Sequence, residues 1–130
     1  MRIYVFLIIM FSAQAALGCY CVESPLKERY LESDYVYIGQ VRSSTLGDDG
    51  VVTNKLVVLE KLKGTADTLV VKNTLFADDM CASHMVVGYQ YLVFGEFGST
   101  PKIHSCSHTR LLGDIGKEGL ALVREMSSKQ

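Results

Sequence analysis

The chain has 130 residues and a formal net charge of -1, with 13 Lys or Arg against 14 Asp or Glu, and 48% of it is hydrophobic. That balance excludes a surface built to neutralise nucleic acid, which draws on clustered Lys and Arg. The length leaves room for one domain with a modest core, and no internal repeat, low-complexity tract or heptad pattern interrupts it.

Residues 1–18 read as a secretory signal peptide. Arg2 supplies a positive start, Tyr4 to Phe11 an apolar stretch, and "SAQAALG" a small-residue exit. A cut after Gly18, with Ala16 at minus three, makes Cys19 the new N-terminus; a cut after Ala15, with Ala13 at minus three, obeys the same rule. The apolar run is shorter than the roughly 20 residues of a bilayer-spanning helix, which counts against an uncleaved anchor. Loss of Arg2 leaves 12 basic and 14 acidic residues in a single domain, 19–130, with a net charge of -2. The expected localisation is secreted, extracellular or periplasmic. "ALGC" also approaches a bacterial lipobox, in which Cys19 would carry a lipid and anchor the protein to a membrane.

"SPLKERYLES" has the marks of a short helix: Ser24 as cap, Pro25 at the first helical position, and Leu26 and Tyr30 at helical spacing. Five strand candidates follow at 35–41, 51–64, 68–73, 89–97 and 102–108, chosen for β-branched and aromatic content. "GDDG" at 47–50 and "KGTADT" at 63–68 carry turn chemistry, so the first three strands should run antiparallel. Leu56 to Leu59 is apolar on both faces, which favours a closed barrel packed by helices over a sheet open to water. A closing helix over Lys117–Met126 sets Leu122 four residues before Met126 and Leu120 three before Val123. The expected fold class is mainly β: a five-stranded Greek-key barrel like the oligonucleotide/oligosaccharide-binding (OB) fold, with a short N-terminal and a C-terminal helix. Such a barrel serves many purposes and does not name a function.

All four cysteines, Cys19, Cys21, Cys81 and Cys106, follow the leader, and an even count in a small exported domain points to disulfides. A Cys19–Cys21 bridge is disfavoured by extended-chain geometry. Either remaining pairing staples the N-terminus to two distant places, each bridge contributing about 4 kcal/mol in the loop-entropy model. The competing reading is a metal site from "CASH" and "HSCSH", that is Cys81, His84, His104, Cys106 and His108, the last three sharing a face if they lie on a strand. The spacing of Cys19 and Cys21 suits structural zinc poorly. No Cys-His nucleophile pattern stands out, so neither enzymatic activity nor a cofactor is expected.

"CYCV" at the presumed mature N-terminus, "SDYV" at 33–36, "LEKLKG" at 59–64, "MC" at 80–81, "YLVFG" at 91–95 and "HSCS" at 104–107 together resemble the N-terminal domain of the tissue inhibitors of metalloproteinases, a netrin-like module. The resemblance covers essentially Cys19 to Met126. It implies the pairing Cys19–Cys81 and Cys21–Cys106. Two departures stand out. The family's third bridge is missing, Leu31 standing where its first cysteine falls, and the second domain of the animal inhibitors is absent, which suggests a minimal relative.

The resemblance implies inhibition of a secreted zinc metalloprotease by a monomer. The α-amine and carbonyl of Cys19 would clasp the target's catalytic zinc, displacing its water; an α-amine with a pKa near 8 is readily deprotonated there. Tyr20 would enter the first primed specificity pocket. Cys21, Val22 and Glu23 would lie along the cleft, and Asp78, Asp79 and Met80 would widen the ridge. Tyr20 is larger than the small polar residue associated with that position in the animal inhibitors. The alternative function is a netrin-like module that binds another secreted protein without inhibiting it.

Overall fold

The computed structural model describes residues 19, 21–75 and 81–130. The elements in chain order are α1 (Leu26–Glu32), β1 (Tyr35–Leu46), β2 (Val51–Lys63), β3 (Val70–Thr74), β4 (Gln90–Gly95), β5 (Arg110–Leu111) and α2 (Leu112–Ser128). The strands form one antiparallel sheet in the order β3-β2-β1-β4-β5. Among the described residues the fold is therefore mainly β with two helices, as expected, and the first three strands are antiparallel neighbours.

β1, at the centre of the sheet, and β4 beside it are apolar on both faces. Tyr35, Tyr37, Val41, Tyr91 and Val93 point to one side, where Leu56, Val71, Met85 and Ile103 join them. Val36, Ile38, Leu92 and Phe94 point to the other, against Tyr30 of α1 and Val123 of α2. Alternate side chains of a strand face opposite ways, so two distinct cores share one sheet. β2 departs from the expectation of burial on both faces. Its register against β1 slips between Ile38 and Gly39, which leaves Leu59 opposite no residue and 48% exposed. The extra residue of such a bulge turns out of the ladder.

The two ends of the chain were only partly anticipated. Ser24 caps nothing: Pro25 occupies the cap position of α1, with no side-chain hydrogen bond there. The helix is stopped instead by Ser33, whose hydroxyl and amide both donate to the Arg29 carbonyl, at 2.8 Å and 3.1 Å. α2 begins five residues earlier than expected and crosses a break at Gly116, whose φ of 73° suits glycine. The expected strand at 102–108 is absent. Only two isolated bridges, Lys72 with Lys102 and Ala82 with His104, touch that segment, and the fifth strand is the short Arg110–Leu111.

α1 is held to the sheet by the buried Tyr30, whose hydroxyl donates to the Leu62 carbonyl at 2.8 Å, and by one lysine. Lys63 Nζ donates to the carbonyls of Tyr30 at 2.8 Å, Leu31 at 2.9 Å and Ser33 at 2.6 Å, and lies 5.3 Å from the Tyr30 ring centre. It thereby satisfies carbonyls that a helix end leaves open. Lys63→Met keeps the aliphatic stem and removes all three donors. It should lower stability by about 1–3 kcal/mol, read as a shift of the urea midpoint at unchanged slope; a shift within error would mean that water replaces the ammonium without loss.

Candidate functional site

The structure pairs Cys19 with Cys81 and Cys21 with Cys106, with Cα separations of 5.5 Å and 5.1 Å, and leaves no free cysteine among the described residues. These are the partners that the resemblance implies. The bridges span 62 and 85 residues of chain, so the N-terminal segment is stapled across most of the fold.

Cys81 and Cys106 meet because their segments are sewn together by short contacts. The amide and hydroxyl of Ser105 both donate to the Cys81 carbonyl, at 2.8 Å and 3.0 Å, next to the Ala82–His104 bridge. A tight turn follows: the Cys106 amide donates to His104 Nδ1 at 3.2 Å, and the Ser107 amide to the His104 carbonyl at 2.9 Å. Sequence reasoning passed over Ser105, although the small hydroxyl residues on both sides of Cys106, Ser105 and Ser107, are the available signal.

Residues 21–25 form neither helix nor strand. Among the described residues no backbone hydrogen bond joins Cys21, Val22, Glu23 or Ser24 to the sheet. The segment is an extended ridge fixed mainly at its cysteines, with Val22 82% exposed and Glu23 exposed as well. Behind it lies a cavity of about 360 Å³ lined in part by Cys21, Leu26, Cys106, His108 and Asp114. His108 closes the inner wall, edge-on to Phe94 at 6.3 Å. Burial, with Arg29 next, pushes its pKa below the usual imidazole value.

Of the expected contact residues, Cys19, Cys21, Val22 and Glu23 are thus gathered on one ridge, with Cys81 bonded beneath Cys19. Tyr20, Asp78, Asp79 and Met80 lie outside the described residues, as does the leader expected at 1–18. The metal reading loses its thiolates, because the sulfurs of Cys81 and Cys106 are used in bridges. His104 and His108 lie on either side of a turn rather than along one strand. Among the described residues no group of three or more His, Cys, Asp or Glu is placed to hold a metal. The bridge to Cys81 also takes up the Cys19 sulfur that a lipid anchor would need. No helix among the described residues is long and apolar enough to cross a membrane.

No family model matches the chain, and no curated protein matches it at a significant level.

Proposed function

We propose that this is a secreted inhibitor of zinc metalloproteases whose working part is the chain end at Cys19. The observation that carries the reading is the double clamp: two bridges, two residues apart, hold a segment in which the described residues Cys21 to Ser24 make no backbone hydrogen bond to the sheet and Val22 stands exposed. A segment meant only to pack would bury Val22. One meant to enter a cleft keeps its side chains out and its backbone groups free, and fixing it beforehand reduces the entropy lost on binding. Removal of residues 1–18 would leave Cys19 with a free amine beside its own carbonyl, a five-membered chelate for a metal with an open position.

The same reading takes the sheet as a Greek-key barrel of the OB kind. In support, the outer edge of β3 turns toward the 101–103 segment: the Lys72 amide donates to the Pro101 carbonyl, and the Ile103 amide to the Lys72 carbonyl, both at 2.9 Å. The netrin-like family supplies a use for that barrel as the platform beneath the ridge.

Tyr20 gives the direct test. If its ring fills the first primed pocket, Tyr20→Gly should raise the inhibition constant for a deep-pocket metalloprotease by one to two decades, since burying such a ring contributes about 1.5–3 kcal/mol. The thermal midpoint should hold. Equal inhibition by both proteins would place the residue outside the contact.

A further inference from the structure

Lys72 of β3 and Lys102 stand in register on adjacent, parallel stretches of chain. Neighbouring strands are about 4.8 Å apart, and residues in register point to the same face. Burial confirms which face: Val71, Asn73 and Ile103 are inside, at 0%, 5% and 5% exposure, so Lys72, Thr74, Lys102 and His104 face out. Like charges set side by side on a sheet oppose folding. Among the described residues, none of the four ion pairs involves either lysine.

These four side chains line a cavity of about 430 Å³ at the edge of the sheet. Among the described residues one carboxylate shares the lining, that of Asp49, and its Oδ1 accepts the Val51 amide at 3.0 Å within its own turn. Val51, Ala82 and Ile103 give the cavity apolar wall and the Asn73 carboxamide oxygen is taken up by Asn54 at 2.8 Å, which leaves two ammonium groups, a hydroxyl and an imidazole to meet a ligand. Ammonium groups make their strongest hydrogen bonds to anionic oxygens. The volume is far larger than an ion and matches a small molecule.

We propose that this cavity binds a sugar-sized molecule through a sulfate or phosphate ester group seated between Lys72 and Lys102, with Thr74 and His104 as further donors. The lining shares no residue with the ridge at Cys19, although Ala82 and His104 also brace the bridged cysteines, and the proposal does not depend on inhibition. Binding places an anion between two cations that otherwise repel, so it stabilises the sheet edge as well as the ligand.

The test is amide NMR of the secreted protein titrated with glucose 6-sulfate, glucose 6-phosphate and inorganic sulfate at fixed ionic strength. Saturable shifts are expected at Lys72, Thr74, Ile103 and His104 with an ester probe. Lys72→Gln/Lys102→Gln should weaken that binding about tenfold or more, the scale of one lost charged hydrogen bond. The ligand-free variant should be at least as stable as the parent, because a repulsive pair is gone, so weaker binding cannot be ascribed to unfolding. Titration in a His104→Gln background between pH 5.5 and 7.5 separates the two sources. A phosphate ester gains charge near pH 6 and should tighten across the range, whereas a sulfate ester should not change. No saturable shift with any probe, or equal affinity in the double variant, overturns the assignment.

Discussion

One alanine added before Cys19, or acetylation of its α-amine, should lower inhibition of a zinc metalloprotease by two decades or more while leaving thermal stability nearly unchanged. Both changes leave the sulfurs of Cys19 and Cys21 free to pair with Cys81 and Cys106, and neither touches the two cores, whose buried members include no cysteine. What changes is the chain end. The amine is displaced or made non-basic, and extra atoms enter a metal site sized for a terminus. A metal ligand in a water-excluded site is worth several kcal/mol, and about 3 kcal/mol is already two decades. The comparison is made between proteins of verified intact mass, one starting at Cys19 and one starting a residue earlier. Equal inhibition by the two would remove Cys19 from the mechanism; a native protein that inhibits no zinc protease tested would favour a binding module without inhibitory activity.

Gly95→Ala should be the most damaging single substitution in the sheet. Gly95 pairs directly with Tyr35 across β1 and β4, and the tyrosine ring lies flat over it. A methyl group there would overlap Cζ, Cε2 and Oη of Tyr35. The ring has nowhere to go: Tyr35 is fully buried, stacked on Tyr37 at 6.2 Å and against Phe97 at 5.9 Å. An aromatic covering a glycine in this way pins strand register. Burial also keeps the phenol neutral, pushing Tyr35 up to about 12. Overpacking of a rigid core commonly costs about 1–3 kcal/mol, and here, with two ring atoms and the hydroxyl oxygen overlapped, about 3 kcal/mol or more is expected in denaturant unfolding. Combining it with Tyr35→Leu should cost less than the two separate losses added together, because the methyl then occupies space the ring has vacated. A loss below about 1 kcal/mol for Gly95→Ala alone would mean that the ring is not fixed where it stands.

The central strands were legible because their side chains announce themselves. "YVYIGQV" and "YQYLVFGEF" are dense in β-branched and aromatic residues and buried on both faces, and the structure places β1 and β4 within or through those spans. "KIHSCSH" was misread for a physical reason. Its alternation imitates a strand, yet only Ile103 is apolar enough to bury. The chain there is set by bridges and by the His104–Ser107 turn rather than by ladder pairing. β5 is two residues long and carries no period at all. The first turn of α2 was hidden by Gly113 and Gly116, which lower helix propensity just where the chain starts to coil. For the candidate site, the cysteine spacing was visible but left two pairings open. The lysine pair was invisible, since it joins a strand to a segment that pairs with it through a single residue.

The double clamp also bears on how the protein is made. Exchanging partners, Cys19 with Cys106 and Cys21 with Cys81, would close loops of 87 and 60 residues in place of 85 and 62. In loop-entropy terms the two arrangements differ by about a hundredth of a kcal/mol, so the oxidising chain has no statistical reason to choose the right one. Selection rests on the fit of a few residues ahead of α1 against Cys81 and Cys106, which the Ser105 contacts and the Ala82–His104 bridge hold together. Both isomers have the same mass and no free thiol. Material oxidised quickly should therefore be a mixture of positional isomers, of which only one presents the chain end correctly. A small-molecule thiol, by letting bridges exchange, should raise the active fraction without adding any protein.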